Sequence, residues 1–97
     1  MISIVIPTFN EVENIIPLIK NLTDLLNDFE YEIIIVDDDS PDGTSDEVSK
    51  YMKSNKRIKL ITRIGRSGLS SAIKEGLIFS QGQYILVPVS YTHLTLP

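Results

Sequence analysis

An unbroken apolar run that ends in three aspartates constrains the fold of this chain more than any other feature. Residues 33–36 are all β-branched and do not alternate with polar residues, which is typical of a parallel-sheet strand covered on both faces. Asp37, Asp38 and Asp39 follow, and a small domain cannot bury three adjacent, unpaired carboxylates. We therefore expect them outside the core, at the carboxyl edge of the sheet, where α/β proteins bind ligands.

The same stretch is also compatible with a plain, solvated acidic turn. Pro41, Asp42 and Gly43 are residues that favour a tight bend, and Thr44 can cap a following helix. The position of the aspartates alone therefore does not separate a binding site from a polar loop.

The first part of the chain predicts a strand followed by a helix. Residues 1–7 form a second apolar run, which Pro7 should end because proline cannot donate to a sheet ladder. From Val12 on, apolar residues recur at helical spacing as far as Phe29. Asn14 is the better cap for this helix, since it places Pro17 in the first turn, where a missing N–H costs nothing.

The remaining elements continue the alternation of strands and helices. Thr44 and Glu47 have the spacing of a capping box that opens a helix. The later elements are predicted at residues 44–53 (helix), 58–62 (strand), 69–77 (helix) and 84–87 (strand). This order predicts an α/β fold with three layers and a mostly parallel sheet in the strand order 3-2-1-4.

Composition excludes several classes of protein. The net charge of −4 argues against nucleic-acid binding, although most of the basic residues lie between Lys50 and Lys74. No apolar run approaches the ~20 residues that cross a bilayer. The start of the chain shows no signal-peptide pattern, which favours the cytoplasm.

Three kinds of site fit the acidic turn and its surroundings poorly. The turn has the oxygen spacing of a calcium loop, but Ser49 stands where a bidentate glutamate is needed. A phosphorelay receiver would need an acceptor aspartate after a later strand, and neither later strand ends in one. A dinucleotide-binding loop is represented only by Gly65 and Gly68.

Three linked motifs instead resemble one family. Pro7-Thr8-Phe9-Asn10-Glu11, the acidic run at 36–44, and Arg63-x-x-Arg66-x-Gly68 are similar in order and spacing to family 2 glycosyltransferases of the GT-A fold. The pattern is most similar to polyprenyl-phosphate sugar transferases of the dolichol-phosphate mannose synthase type. The resemblance covers residues 2–87 and implies that they form the Rossmann-like half that binds the nucleotide sugar.

The resemblance also implies which residues bind the nucleotide. Asp38 corresponds to the main contact with the base, Asp37 to a residue that orients the loop, and the basic residues to a site near the diphosphate. The implied nucleotide-binding residues are Pro7, Thr8, Phe9, Asn10, Glu11, Asp37, Asp38, Ser40, Arg63, Arg66 and Gly68.

The chain departs from the family after the fourth strand. The family carries an Asp-x-Asp motif there that binds Mg²⁺ or Mn²⁺, whereas Val87 is followed by Pro88-Val89-Ser90, and residues 88–97 contain no Asp or Glu. We therefore predict a donor-binding half at 1–87 and a tail at 88–97 that is a truncation or a foreign joint. No catalytic or metal-binding residue is predicted in this chain.

The predicted function is the donor-binding part of an inverting glycosyltransferase. The complete enzyme would move mannose or glucose from GDP-mannose or UDP-glucose to a polyprenyl phosphate, with Mg²⁺ or Mn²⁺, at the cytoplasmic face of a membrane. The fragment is expected to be inactive. The alternative is a nucleotide-binding module without transferase activity.

Overall fold

Strands and helices alternate along the chain and build one parallel sheet. The computed structural model describes residues 1–65, 68–82 and 84–86. Its elements are β1 (Ile2–Thr8), α1 (Val12–Leu25), β2 (Tyr31–Asp37), α2 (Thr44–Met52), β3 (Ile58–Thr62), α3 (Leu69–Phe79) and β4 (Tyr84–Leu86). The strand order is β3-β2-β1-β4 and every pair is parallel. The predicted α/β fold and strand order are confirmed.

Two helices cover one face of the sheet and one helix covers the other. The larger core, which contains Ile15 and Ile19 of α1 and Val48 of α2, packs on alternate residues of β1 and β2. The smaller core joins Ala72 of α3 to the opposite faces of the same strands. Both faces of β2 are therefore buried, which explains its continuous apolar sequence.

The prediction that Pro7 ends the first strand was wrong. β1 continues through Thr8, and Pro7 pairs with Val36 in the register. Ile2 donates to the Glu30 carbonyl and the Thr8 carbonyl accepts from Asp38, so even-numbered residues of β1 direct their backbone groups toward β2. Alternate residues point the opposite way, so the nitrogen of Pro7 lies on the side away from β2 and its missing hydrogen removes no bond of that ladder.

The prediction of an Asn14 cap was also wrong. Helix α1 starts at Val12, with Glu11 as its N-cap, and Pro17 lies inside it. The side chains of Thr44, at the start of α2, and Asp42, in the loop before it, accept hydrogen bonds from the backbone amides of Glu11 and Val12, respectively. Contacts with a distant segment thus fix the start of the helix, at the cost of placing a proline in its second turn.

Two other boundaries differ from the prediction. The N-cap of α2 is Gly43, and Thr44 is already helical, so the capping box does not form. Thr44 instead donates its hydroxyl proton to Asp42. Helix α1 ends before Phe29, which is exposed. The predicted end of the fourth strand at Val87, and the tail at 88–97, lie outside the described residues.

Within the described part of the chain, none of the helices combines the length and the apolar character that crossing a membrane requires.

Candidate functional site

The carboxyl ends of β1, β2 and β3 lie side by side, so the loops that follow them begin at one edge of the sheet. The register pairs Thr8 with Asp37, and Asp37 with Thr62. Backbone hydrogen bonds extend this alignment beyond the strands. The Asp38 amide donates to the Thr8 carbonyl (3.1 Å) and the Arg63 amide to the Asp37 carbonyl (2.8 Å). The sequence motifs that begin near these residues therefore meet at the carboxyl edge.

Asp37 is fully buried, which corrects the expectation that all three aspartates lie outside the core. Its carboxylate accepts hydrogen bonds from the hydroxyls of Thr8 (2.6 Å), Ser40 (2.6 Å) and Ser45 (2.9 Å), and from the Ser40 amide (3.0 Å). These donors replace the water that burial removes, so the charge is satisfied locally. Asp37 thereby connects the end of β1, the β2–α2 loop and the start of α2.

Asp38 is also buried, in an ion pair with Arg63. The Arg63 Nε lies 2.7 Å from Asp38 Oδ1, and the side chains are 1% and 6% exposed, respectively. The same guanidinium donates to Ser71 Oγ (2.6 Å) and to the Gly68 carbonyl (3.2 Å). The arginine therefore links the end of β2 to the start of α3. Asp38 corrects the same expectation as Asp37, since a positive partner offsets its desolvation.

The β1–α1 loop is held by side chains of the β2–α2 loop and of the start of α2. Three successive backbone amides donate across this junction, and the acceptors are oxygen atoms on another segment of the chain. The bonds run from Asn10 to Ser40 Oγ (2.9 Å), from Glu11 to Thr44 Oγ1 (3.1 Å) and from Val12 to Asp42 Oδ2 (3.1 Å). The two loops therefore form a single connected unit.

This unit exposes Phe9 but buries the carboxylate of Glu11. Phe9 is 42% exposed, whereas Glu11, two residues later, is only 4% exposed and accepts a hydrogen bond from the Asn14 side chain (3.3 Å). Asn10 and Asp39 adopt positive φ angles of 55° and 53°. Positive φ is uncommon in non-glycine residues and is enriched at functional sites, although it identifies no ligand.

The structure brings most of the predicted site residues to this edge. Pro7 and Thr8 form the end of β1, Asp37 the end of β2, and Arg63 follows β3 directly. Gly68 is the N-cap of α3, with a φ of 115° that favours glycine. Arg66 lies outside the described residues. Whether these residues bind a nucleotide stays a prediction.

Sequence reasoning did not assign Asp42, Thr44 and Ser45 to the site. The sequence favours a bend at Asp42 and a cap at Thr44, whereas the structure shows that both accept backbone amides at the start of α1. Ser45 binds Asp37 and lies 3.0 Å from Thr62 Oγ1. The available signal was a high density of Asp, Ser and Thr after a buried strand, because such side chains readily accept hydrogen bonds from backbone amides.

Comparison with known families finds one family model that matches the segment containing these motifs. The family model described as glycosyl transferase family 2 matches residues 3–88. The chain belongs to this family. The family 2 match includes the whole carboxyl edge described above, from β1 through the start of α3.

Relatives of this family 2 chain include dolichol-phosphate mannosyltransferases and a dolichyl-phosphate beta-glucosyltransferase. It is 40% identical over 86 residues to a dolichol-phosphate mannosyltransferase of Pyrococcus furiosus, covering 89% of this chain and 24% of that protein. It is 33% identical over 87 residues to a dolichol-phosphate mannosyltransferase of Saccharomyces cerevisiae (87% and 33%), and 30% identical over 95 residues to a dolichyl-phosphate beta-glucosyltransferase of Dictyostelium discoideum (89% and 29%). The chain thus spans about a quarter to a third of these relatives.

A solved structure supports the fold. A mannosyltransferase from Pyrobaculum calidifontis, in complex with GDP-Man and Mn²⁺, superposes with a TM-score of 0.68 at 24% identity. The match covers 91% of this chain and 26% of that one. At this identity, the likeness establishes a shared GT-A architecture for the described elements.

The described residues do not supply a site for a divalent ion. Among them, no group of three or more His, Cys, Asp or Glu side chains is arranged to hold a metal. The carboxylates of Asp37 and Asp38 are engaged by hydroxyl, amide and guanidinium donors. The neighbouring structure nevertheless contains Mn²⁺, so divalent metal belongs to related enzymes.

Proposed function

We propose that this chain is the donor-binding part of an inverting glycosyltransferase. The complete enzyme would move mannose or glucose from GDP-mannose or UDP-glucose to a polyprenyl phosphate, at the cytoplasmic face of a membrane. The observation that carries this proposal is the meeting of the family motifs at one sheet edge, where the β1–α1 and β2–α2 loops are bonded to each other. The names of the relatives support the substrate classes.

The chemistry of this edge suits a nucleoside. An exposed aromatic ring such as Phe9 offers a face on which a base can stack. A carboxylate has several acceptor positions, so Asp38 can accept a ring N–H of guanine or uracil while Arg63 fixes its orientation. Glu11 would add a second acceptor beside the ring. The helix N-terminus at Gly68 would lie close to the diphosphate, where it favours an anion, whereas the charge of Arg63 is balanced by Asp38.

We further propose that the chain does not transfer sugar by itself. In the complete enzyme, a divalent ion would offset the charge that develops on the diphosphate leaving group. The described residues do not fit such an ion, and the sequence at 88–97 contains no Asp or Glu to bind one. Residues 1–87 would then bind the nucleotide sugar, and residues 88–97 would contribute nothing to sugar transfer.

Calorimetric titration tests the donor-binding proposal. Wild-type chain is titrated with GDP, UDP and GDP-mannose, with and without Mn²⁺, and with ADP as a control for general nucleotide binding. Phe9→Ala should weaken GDP or UDP binding by about 1–2 kcal/mol, the size of an aromatic stacking contact. Phe29→Ala is the matched control, because Phe29 is 55% exposed and precedes β2 at the opposite edge of the sheet.

Two outcomes would contradict the proposal. If neither guanine nor uracil nucleotides bind, the chain is not a donor site. Equal affinity for ADP, unaffected by Phe9→Ala, would favour a general nucleotide-binding module.

A separate incubation with GDP-mannose or UDP-glucose, a polyprenyl phosphate and Mn²⁺ tests whether the chain is inactive as a transferase. Metal-dependent lipid-linked sugar above a no-protein control would show that this chain is catalytic.

A further inference from the structure

We propose that Asp42 and Thr44 are positioning residues that set the conformation of the β1–α1 loop for nucleotide binding. This inference rests on the proposed function, because Phe9 and Glu11 of that loop are its nucleoside contacts. Neither Asp42 nor Thr44 needs to touch the ligand. Each presents an oxygen to one backbone amide of the loop.

The hydroxyl of Thr44 is aimed by Asp42. A hydroxyl has one proton to donate and lone pairs that accept. The Thr44 proton goes to Asp42 Oδ1, over 2.5 Å, so the hydroxyl oxygen is left to accept the Glu11 amide at 3.1 Å. Without the carboxylate, the hydroxyl could rotate and turn its proton toward the Glu11 amide. Asp42 therefore fixes the direction of a bond that it does not make itself.

Asp42 also holds the next amide directly. Its Oδ2 accepts the Val12 amide at 3.1 Å, while Oδ1 accepts both the amide and the hydroxyl of Thr44. Partial burial by itself raises the pKa of Asp42, but the hydrogen bonds from Thr44 and Val12 outweigh it and hold the pKa below its ordinary value. Both oxygens of the carboxylate are thus used as acceptors.

A second pair of side chains repeats this arrangement one residue earlier. The Ser40 hydroxyl donates to Asp37 Oδ1 (2.6 Å) and accepts the Asn10 amide (2.9 Å). Asn10 has a φ of 55°, a conformation that asparagine tolerates better than most L-residues. The hydrogen bond to Ser40 holds its amide in that conformation. The loop that carries Phe9 is therefore held by the β2–α2 segment as well as favoured by its own sequence.

Conservative variants separate positioning from general stability. Asp42→Asn keeps the size of the side chain, but its NH₂ group then faces the backbone N–H of either Thr44 or Val12, depending on which way the amide is turned. Thr44→Val removes the acceptor for Glu11, and Thr44→Ser restores it. Asp39→Asn is the matched control. It removes a charge from an exposed residue of the β2–α2 loop that makes no side-chain hydrogen bond within the described part of the chain, and asparagine tolerates its positive φ.

Amide hydrogen exchange followed by NMR reads the loop without any ligand. In Thr44→Val the Glu11 amide should exchange roughly fivefold faster, the effect of losing one typical hydrogen bond. In Asp42→Asn at least one of the two amides should do so: that of Val12 if the NH₂ group replaces Oδ2, and that of Glu11 if it replaces Oδ1 and releases the Thr44 hydroxyl. Thr44→Ser and Asp39→Asn should match the wild type, and the Ile34 amide in the buried β2 should be unchanged in all variants.

Calorimetry with GDP and UDP completes the test. Asp42→Asn and Thr44→Val should weaken binding roughly three- to tenfold, while Thr44→Ser and Asp39→Asn should not. Unchanged exchange at Glu11 and Val12 would overturn the inference, as would faster exchange throughout the sheet in every variant. Wild-type chain that binds neither nucleotide, yet shows the expected exchange pattern, would overturn the proposed function and leave the shaping of the loop supported.

Discussion

Removing the carboxylate of Asp38 should destabilise the fold strongly. In Asp38→Ala, the Arg63 guanidinium keeps its neutral partners, Ser71 Oγ and the Gly68 carbonyl, but loses the negative charge 2.7 Å from Nε. The Arg63 side chain is only 1% exposed, so water cannot replace the lost partner without rearrangement.

The size of the effect follows from that burial. Breaking a buried ion pair by removing one partner costs about 3–5 kcal/mol. The remaining hydrogen bonds from Arg63 to neutral acceptors place Asp38→Ala near the lower end, at about 3 kcal/mol. Converting Arg63 to Met in the same chain removes the positive charge that has lost Asp38, so the double variant Asp38→Ala/Arg63→Met should recover roughly 2–3 kcal/mol relative to the sum of the single changes.

Urea unfolding followed by far-UV circular dichroism measures these free energies, since the chain has no tryptophan to report by fluorescence. Asp39→Asn, at an exposed position in the same loop, should change stability by less than about 0.5 kcal/mol. A loss below about 1 kcal/mol in Asp38→Ala, or additive effects in the double variant, would refute the assignment of a stabilising buried pair. If Asp38→Ala does not fold, the double variant should still do so.

Three further changes test other parts of the fold. Burial alone raises the pKa of Glu32, but hydrogen bonds, of which that from Lys59 is the largest, hold this pKa below its usual value. The ionised carboxylate should therefore stabilise the fold above about pH 4.5, and this contribution should be lost as the pH falls further. In Glu32→Gln, the urea midpoint should vary less between pH 5 and pH 3 than in the wild type. Gly76→Ala should destabilise the chain by about 1–3 kcal/mol in urea unfolding, because the added Cβ would lie 2.2 Å from Val5 Cγ1. Pro17→Ala should raise stability by about 1–2 kcal/mol in the same assay, because it restores an N–H inside α1.

The sheet could be predicted because its information is local and redundant. The β1 and β2 sequences are continuous β-branched runs, each followed by polar turn residues, and the intervening amphipathic segment has the length of a crossover helix. The strand order then follows from covering both faces of β1 and β2. The same patterns place the aspartates at the carboxyl edge, as the structure confirms for the end of β2.

Several of the errors share a physical cause, which is that the deciding partner lies far away in sequence. Asp37 is buried because Thr8 donates to it from another strand, 29 residues away. The start of α1 is set by Asp42 and Thr44, so a rule that considered only Pro17 and nearby caps chose the wrong residue. Pro7 fits inside β1 because of the direction in which its backbone nitrogen points, and composition does not encode that direction.

The hydrogen bonds that hold the carboxyl edge together limit which substitutions can report on nucleotide binding alone. Asp37 and Asp38 lie where a nucleoside is proposed to bind, yet their carboxylates also hold β1, the β2–α2 loop and Arg63 in place. Loss of affinity after changing either one would therefore mix a missing ligand contact with a disturbed fold. Phe9 is largely free of this ambiguity, since its ring is 42% exposed and an exposed position contributes little to stability. If Phe9→Ala lowers nucleotide affinity while the urea midpoint stays constant, the lost affinity reflects a lost contact with the nucleotide. For Asp38→Ala, comparison with the double variant Asp38→Ala/Arg63→Met then separates the affinity lost with the ligand contact from the affinity lost because the fold is disturbed.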